Sequence, residues 1–154
     1  MQAIDNDLFY ALHDVARLLR TRFDQRARFY GMTRAQALIL LRLHHQPGLS
    51  QNEMAAICEV EPITVARLVD RLEAAGMVKR CADPNDRRIR RLKLLPAAEP
   101  VLAWIHEYRK QVQKELAEGV PEEDWAAAMN VLMHMKQKLI AESSAPRPVA
   151  AMGE

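Results

Sequence analysis

The middle of the sequence carries the start and stop signals of two short helices in succession. Ser50 and Glu53 form a capping box, in which the serine hydroxyl accepts from the backbone N–H of Glu53 and the carboxylate accepts from that of Ser50. This helix ends near Cys58. Pro62 opens the next helix, because proline at the first helical position loses no hydrogen bond, and Gly76 is a favourable residue to end it. Two short helices joined by so tight a turn predict a helix-turn-helix.

The second of these helices has two distinct faces. Its apolar residues recur at the spacing of one helix face and are expected in the core: Val65, Leu68, Val69 and Leu72. The opposite face carries threonine and arginine, and arginine can donate two hydrogen bonds to guanine in the major groove of a duplex. We therefore predict DNA contacts from Pro62, Ile63, Thr64, Arg67 and Arg71. The alternative is that these arginines are solvent-facing charges, with Arg67 paired to Asp70 or Glu73.

A basic β-hairpin, or wing, is predicted to follow. Val78–Ala82 and Ile89–Leu94 have the composition of two short strands, and Asp83-Pro84-Asn85-Asp86 has that of the turn between them. Guanidinium groups at the tip of such a ribbon suit the narrow, negative minor groove. The predicted wing contacts are Arg87, Arg88 and Arg90. The spacing of Asp86 and Arg88 also allows that carboxylate to orient the guanidinium.

The formal net charge of +2 conceals an uneven distribution. Between Arg67 and Lys93 lie nine basic and four acidic residues, a net charge of +5, whereas the remainder of the chain carries −3. We call residues 67–93 the basic segment. Such a segment is typical of a surface that binds a polyanion, although most charge runs are merely solvated. Single-stranded nucleic acids are bound by aromatic rings among basic residues, and all eight aromatic residues lie outside this segment, which favours a duplex.

Helical patterns flank the basic segment on both sides. The first, from Asp5 to about Phe29, places on one face Leu8, Leu12, Val15, Leu19 and Phe23. The next helix begins at Thr33. Its inward residues are expected to be Ala37, Leu38, Leu41 and His44. Two long amphipathic helices follow Pro96 and Pro121, and a second copy of the chain is the simplest partner for their apolar faces.

These elements predict a mainly α fold with a small β-hairpin wing. A winged helix-turn-helix core, about residues 33–95, is flanked by long N- and C-terminal dimerisation helices, about residues 5–30 and 97–142. We expect a single domain over residues 1–154, with a flexible tail at 143–154. No targeting pattern or apolar run of membrane-spanning length is visible, and two cysteines do not make a disulfide framework, so we expect a cytoplasmic protein.

The element order, together with the segments Glu61–Gly76 and Asp83–Arg88, resembles the MarR family of winged-helix transcriptional regulators. The resemblance covers about residues 8–140. It implies a homodimer that binds a pseudo-palindromic duplex operator. It also implies that Arg67 approaches bases and that Arg88 enters the minor groove, with Asp70 as its supporting partner. The family's usual polar residue before the helix arginine is absent here, where the sequence has alanine.

Members of this family often release DNA when a small aromatic acid or phenol binds, and we expect a repressor of that kind. The residues that could surround such a ligand are Phe9, Tyr10, His13, Arg17, Trp104 and Tyr108, each of which would singly be more typical of a packed core. The alternatives are a redox-responsive regulator using Cys81, a metal-responsive one, and a protein-interaction module that does not bind DNA. No phosphate-binding loop, nucleophile elbow or metalloprotease motif is present, so we predict no enzyme activity, cofactor or metal.

Overall fold

The computed structural model describes residues 7–144 of the 154-residue chain, with side chains through residue 142. Over that range the helices are α1 (Leu8–Ala27), α2 (Arg34–His45), α3 (Gln51–Cys58), α4 (Pro62–Ala74), α5 (Glu99–Ala117) and α6 (Glu122–Ser144). An antiparallel hairpin of β1 (Val78–Ala82) and β2 (Arg90–Leu94) lies between α4 and α5. Short 3-10 turns, Arg28–Tyr30 and Pro96–Ala98, precede α2 and α5. The predicted mainly α fold with a β-hairpin wing is confirmed.

The two ends of the described range bear on two predicted boundaries. Asp7 caps α1, because its carboxylate accepts from the N–H of Phe9 at 2.8 Å. The predicted start at Asp5 lies outside the described residues. At the other end, α6 continues through Ser144, two residues into the predicted flexible tail, and the remainder of that tail, residues 145–154, also lies outside the described residues.

The capping box that opens the helix-turn-helix is present as predicted. The hydroxyl of Ser50 accepts from the N–H of Glu53 at 3.2 Å, and the Glu53 carboxylate accepts from the N–H of Ser50 at 2.7 Å. These two hydrogen bonds with Ser50 lower the pKa of the Glu53 carboxyl, because they stabilise its charged form. A nearly identical box opens α2, with Thr33 as the cap and Gln36 as its reciprocal partner.

The turn between α3 and α4 depends on one left-handed residue. Glu59 has a φ of +53°, a conformation that few residues other than glycine adopt. The following N–H, that of Val60, donates back to the carbonyl of Ala55 at 3.1 Å and closes the end of α3. Pro62 then begins α4, as its fixed φ and missing N–H favour.

Among the described residues, 7–107 form one compact unit, whose core lies among α2, α3, α4, the hairpin and the beginning of α5. Its largest fully buried side chains include Ile39, Leu40, Leu43, Met54, Leu72, Leu92 and Ile105. The predicted apolar face of α4 is confirmed, since Val65, Val69 and Leu72 are buried and Leu68 packs against them.

The predicted inward face of α2 was wrong in part. Ala37 is buried as expected, but Leu38 is 38% exposed and His44 is exposed. The residues buried in their place are Ile39, Leu40 and Leu43. The physical reason is that apolar residues occupy both sides of this helix, so periodicity alone does not select the side that meets the core.

The hairpin is joined to the segment that precedes α3. Within it, Val78 pairs with Leu94 and Ala82 with Arg90, which sets the register. The N–H of Leu92 donates to the carbonyl of Leu49 at 2.8 Å, so this segment adds an edge to the outer side of β2. The wing is therefore hydrogen-bonded to the helix-turn-helix as well as packed on it.

The second compact unit begins at residue 108 and contains the end of α5 and the whole of α6. Val112 on α5 is buried. Helix α6 exposes many of its apolar side chains, including Met129, Val131, Leu132, Met133, Leu139 and Ile140. The expectation of a single domain stays a prediction.

Candidate nucleic-acid interface

Helix α4 presents its predicted contact residues on the face opposite the core. Ile63 is 60% exposed, and Pro62, Thr64, Arg67 and Arg71 are exposed as well. Among residues 7–142, neither arginine has a carboxylate partner. The structure therefore does not pair Arg67 with Asp70 or Glu73, both of which bind Arg80. The guanidinium groups of Arg67 and Arg71 are available to a ligand.

Arg80 in β1 connects the wing to α3 and α4. Its Nε donates to Gln51 at 2.6 Å, and its terminal nitrogens donate to Glu73, to Asp70 at 2.7 Å and to the carbonyl of Ala66 at 3.0 Å. The backbone N–H of Arg80 donates to Glu73 at 2.8 Å. Since only 22% of the Arg80 side chain is exposed, these charged hydrogen bonds are partly shielded from water.

The expected support of Arg88 by Asp70 is corrected by this geometry. Asp70 lies on α4 beside the base of the hairpin, where it binds Arg80. Arg88 lies in the turn at the other end of the hairpin and binds Asp86, whose carboxylate accepts from the Arg88 N–H at 2.9 Å and from its Nε at 3.3 Å. The contact expected between Asp86 and Arg88 is thus present.

Arg91 in β2 braces the turn of the wing. Its Nε donates to Asp83, one terminal nitrogen donates to the carbonyl of Gly48 at 2.8 Å, and the same nitrogen lies 3.7 Å from the Glu53 carboxylate. Asp83 is only 5% exposed, and its other oxygen accepts from the N–H of Asn85 at 2.7 Å. The hydrogen bonds from Asn85 and then from Arg91 lower the pKa of the Asp83 carboxyl.

All four carboxylates of the basic segment bind three of its own arginines, Arg80, Arg88 and Arg91. Its six other basic residues have no carboxylate partner in the part of the chain that the structure describes. All six are exposed: Arg67, Arg71, Lys79, Arg87, Arg90 and Lys93. The positive charge of the segment is therefore concentrated on α4 and the wing rather than cancelled locally, which is the footprint expected of a polyanion site.

Counting every basic residue as surface charge overlooks the two structural arginines. The inward position of Arg80 could have been predicted from the sequence, because strand alternation places it on the same face as Val78, which is fully buried. The structural role of Arg91 could not have been predicted in this way. Its acceptors Asp83 and Gly48 are 8 and 43 residues away along the chain, and only the folded structure brings them together.

The helix-turn-helix and wing of this chain are similar in sequence and fold to those of known proteins. The sequence model of the MarR family matches residues 30–89, from the end of the turn before α2 to the tip of the wing. The crystal structure of MarR is 25% identical, with a TM-score of 0.82 over 93% of this chain and 97% of that chain. The structure of the transcriptional regulator SlyA is 23% identical, with a TM-score of 0.77 over 89% and 96%. The structure of the S. aureus MepR-DNA complex is 22% identical, with a TM-score of 0.71 over 84% and 96%.

The MarR family model thus matches residues 30–89 of this chain, and the chain has the fold of the MarR structure. Proteins of this family are winged-helix, DNA-binding transcription regulators and not enzymes. These matches confirm the resemblance that the segments Glu61–Gly76 and Asp83–Arg88 indicated. The individual DNA-contacting residues stay predictions, which the exposure of α4 and the wing supports.

The N-terminal group of predicted ligand-contacting residues is exposed. Phe9 is 81% exposed and Tyr10 57%, and His13 and Arg17 are exposed as well. Arg17 pairs with Asp14 of the same helix at 3.1 Å. Residues 7–107 of one chain thus leave these side chains open to solvent, and a ligand site built from them stays a prediction.

The two remaining residues predicted for the same ligand site lie on α5. Trp104 is half-buried, and its ring contacts that of Tyr30 at a centroid distance of 4.3 Å and that of Phe23 at 5.6 Å. Tyr108 is half-buried and begins the second compact unit. The ring cluster of Phe23, Tyr30 and Trp104 could not be predicted from the sequence, because the three residues are brought together only by folding.

The other regulatory alternatives concern cysteines and metals. Cys58 and Cys81 are half-buried free thiols, and burial raises the pKa of Cys58. Over the described residues, no group of three or more histidine, cysteine or acidic side chains is arranged to bind a metal. No helix in that same range is long and apolar enough to span a membrane. A redox role for Cys81 stays a prediction.

Proposed function

We propose that this chain is a MarR-family transcription regulator and that it binds a pseudo-palindromic duplex operator as a homodimer. In this proposal each protomer places α4 in a major groove and its wing beside the adjacent minor groove. The observation that carries the proposal is a set of six exposed cations on α4 and the wing that have no carboxylate partner among residues 7–142. Phosphates bind such groups through charged hydrogen bonds and release of counterions.

Within this interface α4 and the wing have different tasks. Arg67 projects from the exposed face of α4, where a guanidinium can read guanine, and Ile63 near the start of that helix can contact a thymine methyl. Arg87 and Arg88 project from the turn of the wing, where a guanidinium suits a narrow minor groove. We therefore assign sequence discrimination mainly to α4 and shape recognition to the wing.

The homodimer is supported by apolar surface on helices outside the winged core. Helix α1 exposes Leu8 by 52%, Val15 by 54% and Leu18 by 57%. Helix α6 exposes Met129, Leu132 and Leu139 by 44%, 42% and 64%. Exposed apolar residues in this number mark an interface, and a second copy of the chain offers a matching surface.

We further propose a repressor that a small aromatic acid or phenol releases from its operator. The half-buried rings of Phe23 and Trp104 and the exposed ring of Tyr30 offer aromatic surface with which such a molecule can pack. Benzoate and phenol are suitable probes. We expect either probe to release a fluorescent operator duplex from the protein. We also expect the protein to lower transcription from the operator when no probe is present. If the protein without a probe raised transcription from the operator, it would not be a repressor.

Selection of bound sequences from a random duplex pool tests the core of the proposal. The expected product is an inverted repeat whose half-sites are about 10 bp apart, centre to centre, because two symmetric recognition helices meet successive turns of the duplex. Light scattering should give twice the chain mass of 17.6 kDa. Enrichment of a single half-site would contradict the dimer, and enrichment of no duplex would favour the protein-interaction alternative.

A further inference from the structure

A second concentration of positive charge lies outside the basic segment. Residues 17–34, which we call the arginine stretch, contain six arginines, no lysine and one acidic residue, a net charge of +5. Fifteen acidic and seven basic residues lie outside both regions, a net charge of −8. The arginine stretch also contains three of the eight aromatic residues, Phe23, Phe29 and Tyr30, whereas the basic segment contains none. It therefore combines the two residue types with which proteins bind single-stranded nucleic acids.

Half of these arginines are exposed and have no carboxylate partner among residues 7–142: Arg20, Arg26 and Arg28. Arg34 lies 3.7 Å from the carboxylate of Asp24, and the exposed fractions of the two side chains are 48% and 42%. So long and solvated a contact contributes little, and it leaves the guanidinium able to bind a second anion. The positive charge of the arginine stretch is thus cancelled only in part.

Two aromatic rings follow α1 in the 3-10 turn Arg28–Tyr30. Phe29 comes directly after Arg28 and three residues after Arg26, a spacing that makes side chains neighbours on a helical turn. Phe29 is 85% exposed and has no ring contact with another described residue. Tyr30 is 51% exposed, and its ring packs against that of Trp104 at a centroid distance of 4.3 Å. One ring is therefore open to solvent beside arginines, and the next is held in place by packing.

A cavity of about 660 Å³ lies between the end of α1 and the start of α2. Arginines line it from both sides, namely Arg20 of α1, Arg28 of the turn and Arg34 of α2. Asp24 is the one acidic residue in its lining, and no residue of the basic segment lines it. Guanidinium groups on both walls of a groove suit a chain of phosphates, because each can donate two parallel hydrogen bonds.

The composition of this region favours a single strand over other polyanions. All six basic residues are arginine, which binds phosphate in a bidentate manner and stacks on planar groups, whereas lysine would serve an acidic protein equally well. An acidic protein also needs no open aromatic ring. In a duplex the base faces are stacked on one another, whereas a single strand offers each base face to a ring such as that of Phe29.

We propose that single-stranded nucleic acid binds to an arginine–aromatic surface formed by Arg20, Arg26, Arg28, Phe29, Tyr30 and Arg34. RNA and single-stranded DNA share the phosphates and base faces that this surface recognises. None of its residues belongs to the basic segment, so a strand here and a duplex at α4 and the wing do not compete for the same side chains. Strand binding is measurable without an operator, and the proposal does not rest on the function proposed above.

Fluorescence anisotropy with labelled oligouridylate and oligothymidylate tests binding. Strands of about 12 nucleotides lie within the usual range of site sizes. We expect saturable binding of at least one strand, and the ratio of the two affinities distinguishes an RNA site from a DNA site. Oligoglutamate of equal charge should bind at least about tenfold more weakly, because it offers no base faces. Equal binding of oligoglutamate, or no saturable binding of either strand, would overturn the proposal.

Variants of Phe29 test stacking. Phe29→Ala should weaken strand binding roughly five- to fiftyfold, as loss of one stacked base does, and Phe29→Trp should retain it. Phe9→Ala is the matched control, because Phe9 is a phenylalanine of α1 that is 81% exposed but lies outside the arginine stretch. Equal weakening in the two alanine variants would overturn the role of Phe29. So would a change in the mass of the assembly in Phe29→Ala, which light scattering would detect.

An arginine variant tests the phosphate contact. Arg28→Gln should weaken strand binding and reduce the slope of log affinity against log salt by about 0.7, the value for one phosphate contact on a single strand. Arg88→Gln at the tip of the wing is the control, and it should leave strand affinity unchanged. Equal effects of the two variants would place the strand on the wing and overturn the assignment.

Ultraviolet crosslinking locates the strand independently. Trypsin cleaves after Arg28 and Arg34, so one peptide, residues 29–34, carries both Phe29 and Tyr30. We expect crosslinked uridine or thymidine on this peptide. Crosslinks confined to peptides of α4 or the wing would overturn the proposal.

The duplex obtained by selection separates this proposal from the function proposed above. Saturating duplex should leave a labelled strand bound, because the two surfaces share no residue. Displacement of the strand by the duplex would show one shared surface and overturn the proposal. A chain that binds strands but selects no duplex would contradict only the operator function, and one that selects a duplex but binds no strand would contradict only the arginine–aromatic surface.

Discussion

Arginines lie both at the base of the wing, around Arg80, and at its tip, the turn of residues 83–89, but their surroundings differ. At the base, Arg80 is 22% exposed and donates to side chains or carbonyls of α3 and α4. At the tip, the Arg88 side chain is 93% exposed and its one described partner is Asp86, two residues away. A guanidinium at the base therefore stabilises the fold, whereas one at the tip is available to a ligand.

The two regions also depend on one another. Arg91 and Asp83 join the base to the turn, and the turn is further ordered by hydrogen bonds from backbone N–H groups to Asp83 and Asp86. Exposed arginines on an ordered turn lose less conformational freedom when they bind than those on a flexible one. The base thus contributes to DNA binding indirectly, by presenting the tip.

The largest expected effect is on stability at the base. Arg80→Ala removes the partner of two carboxylates and of a helix carbonyl, and we expect a loss of about 2–3 kcal/mol in the free energy of unfolding, less than for a fully buried pair. Arg87→Ala, an exposed change in the turn, should stay within about 0.5 kcal/mol. Urea unfolding followed by circular dichroism measures both. Similar losses in the two variants would contradict the distinction between base and tip.

The next effect in size is on DNA affinity at the tip. Arg88→Ala should weaken binding of the selected duplex by about 2 kcal/mol, roughly thirtyfold, and leave the unfolding transition unchanged, because its guanidinium is almost fully exposed. Fluorescence anisotropy at fixed salt measures the affinity. Arg109→Ala, an exposed arginine of α5 outside the basic segment, is the control and should bind as the wild type does. Unchanged affinity in Arg88→Ala would refute the wing contact.

A smaller effect is expected from the recognition helix. Arg67→Ala should cost about 1–2 kcal/mol on the selected duplex and much less on unrelated duplexes, because a base contact is lost rather than a phosphate contact. Competition with duplexes altered one base pair at a time measures the change in preference. Equal weakening on every sequence would reassign Arg67 to the phosphate backbone.

Local signals account for the elements that sequence analysis predicted well. The capping box at Ser50, the proline at the start of α4 and strand β1 follow from residues close together in the chain. Errors arose where tertiary contacts decide. Apolar residues on both sides of α2 hid its inward face, and Asp70 was assigned to the wrong arginine because nothing local indicates that Arg80 reaches it across ten residues.

The same distinction explains the uneven success at the candidate interface. Exposure of Arg67 and Arg88 followed from helix and hairpin geometry, so their place on the surface was predictable. The structural roles of Arg80 and Arg91 required knowledge of which carboxylates and carbonyls the fold brings near them. Charge counting treats all four alike, and therefore overestimates how many arginines serve as surface charge.

The smallest expected effect is a loss of folding stability at low pH. It tests whether the ion pair of Arg91 and Asp83 connects the base of the wing to its tip. The hydrogen bonds from Asn85 and Arg91 lower the pKa of Asp83 in the folded chain, so its carboxylate stabilises the fold above the ordinary value of about 4. That stabilisation disappears as the pH falls through the lowered value. Asp83→Asn lacks the charge at every pH. It should therefore be less stable than the wild type near neutral pH, and the difference should shrink below about pH 4.

Urea unfolding of the wild type and Asp83→Asn across the acidic range measures this convergence. The wild-type curve should fall towards that of the variant, because protonated Asp83 no longer forms an ion pair with Arg91. A difference that stays constant from neutral pH down to about pH 2 would mean that the shape of the carboxyl group, rather than its charge, supports the turn. In that case the guanidinium of Arg91 would act through the carbonyl of Gly48 alone, and the base and the tip would be joined by packing rather than by the ion pair.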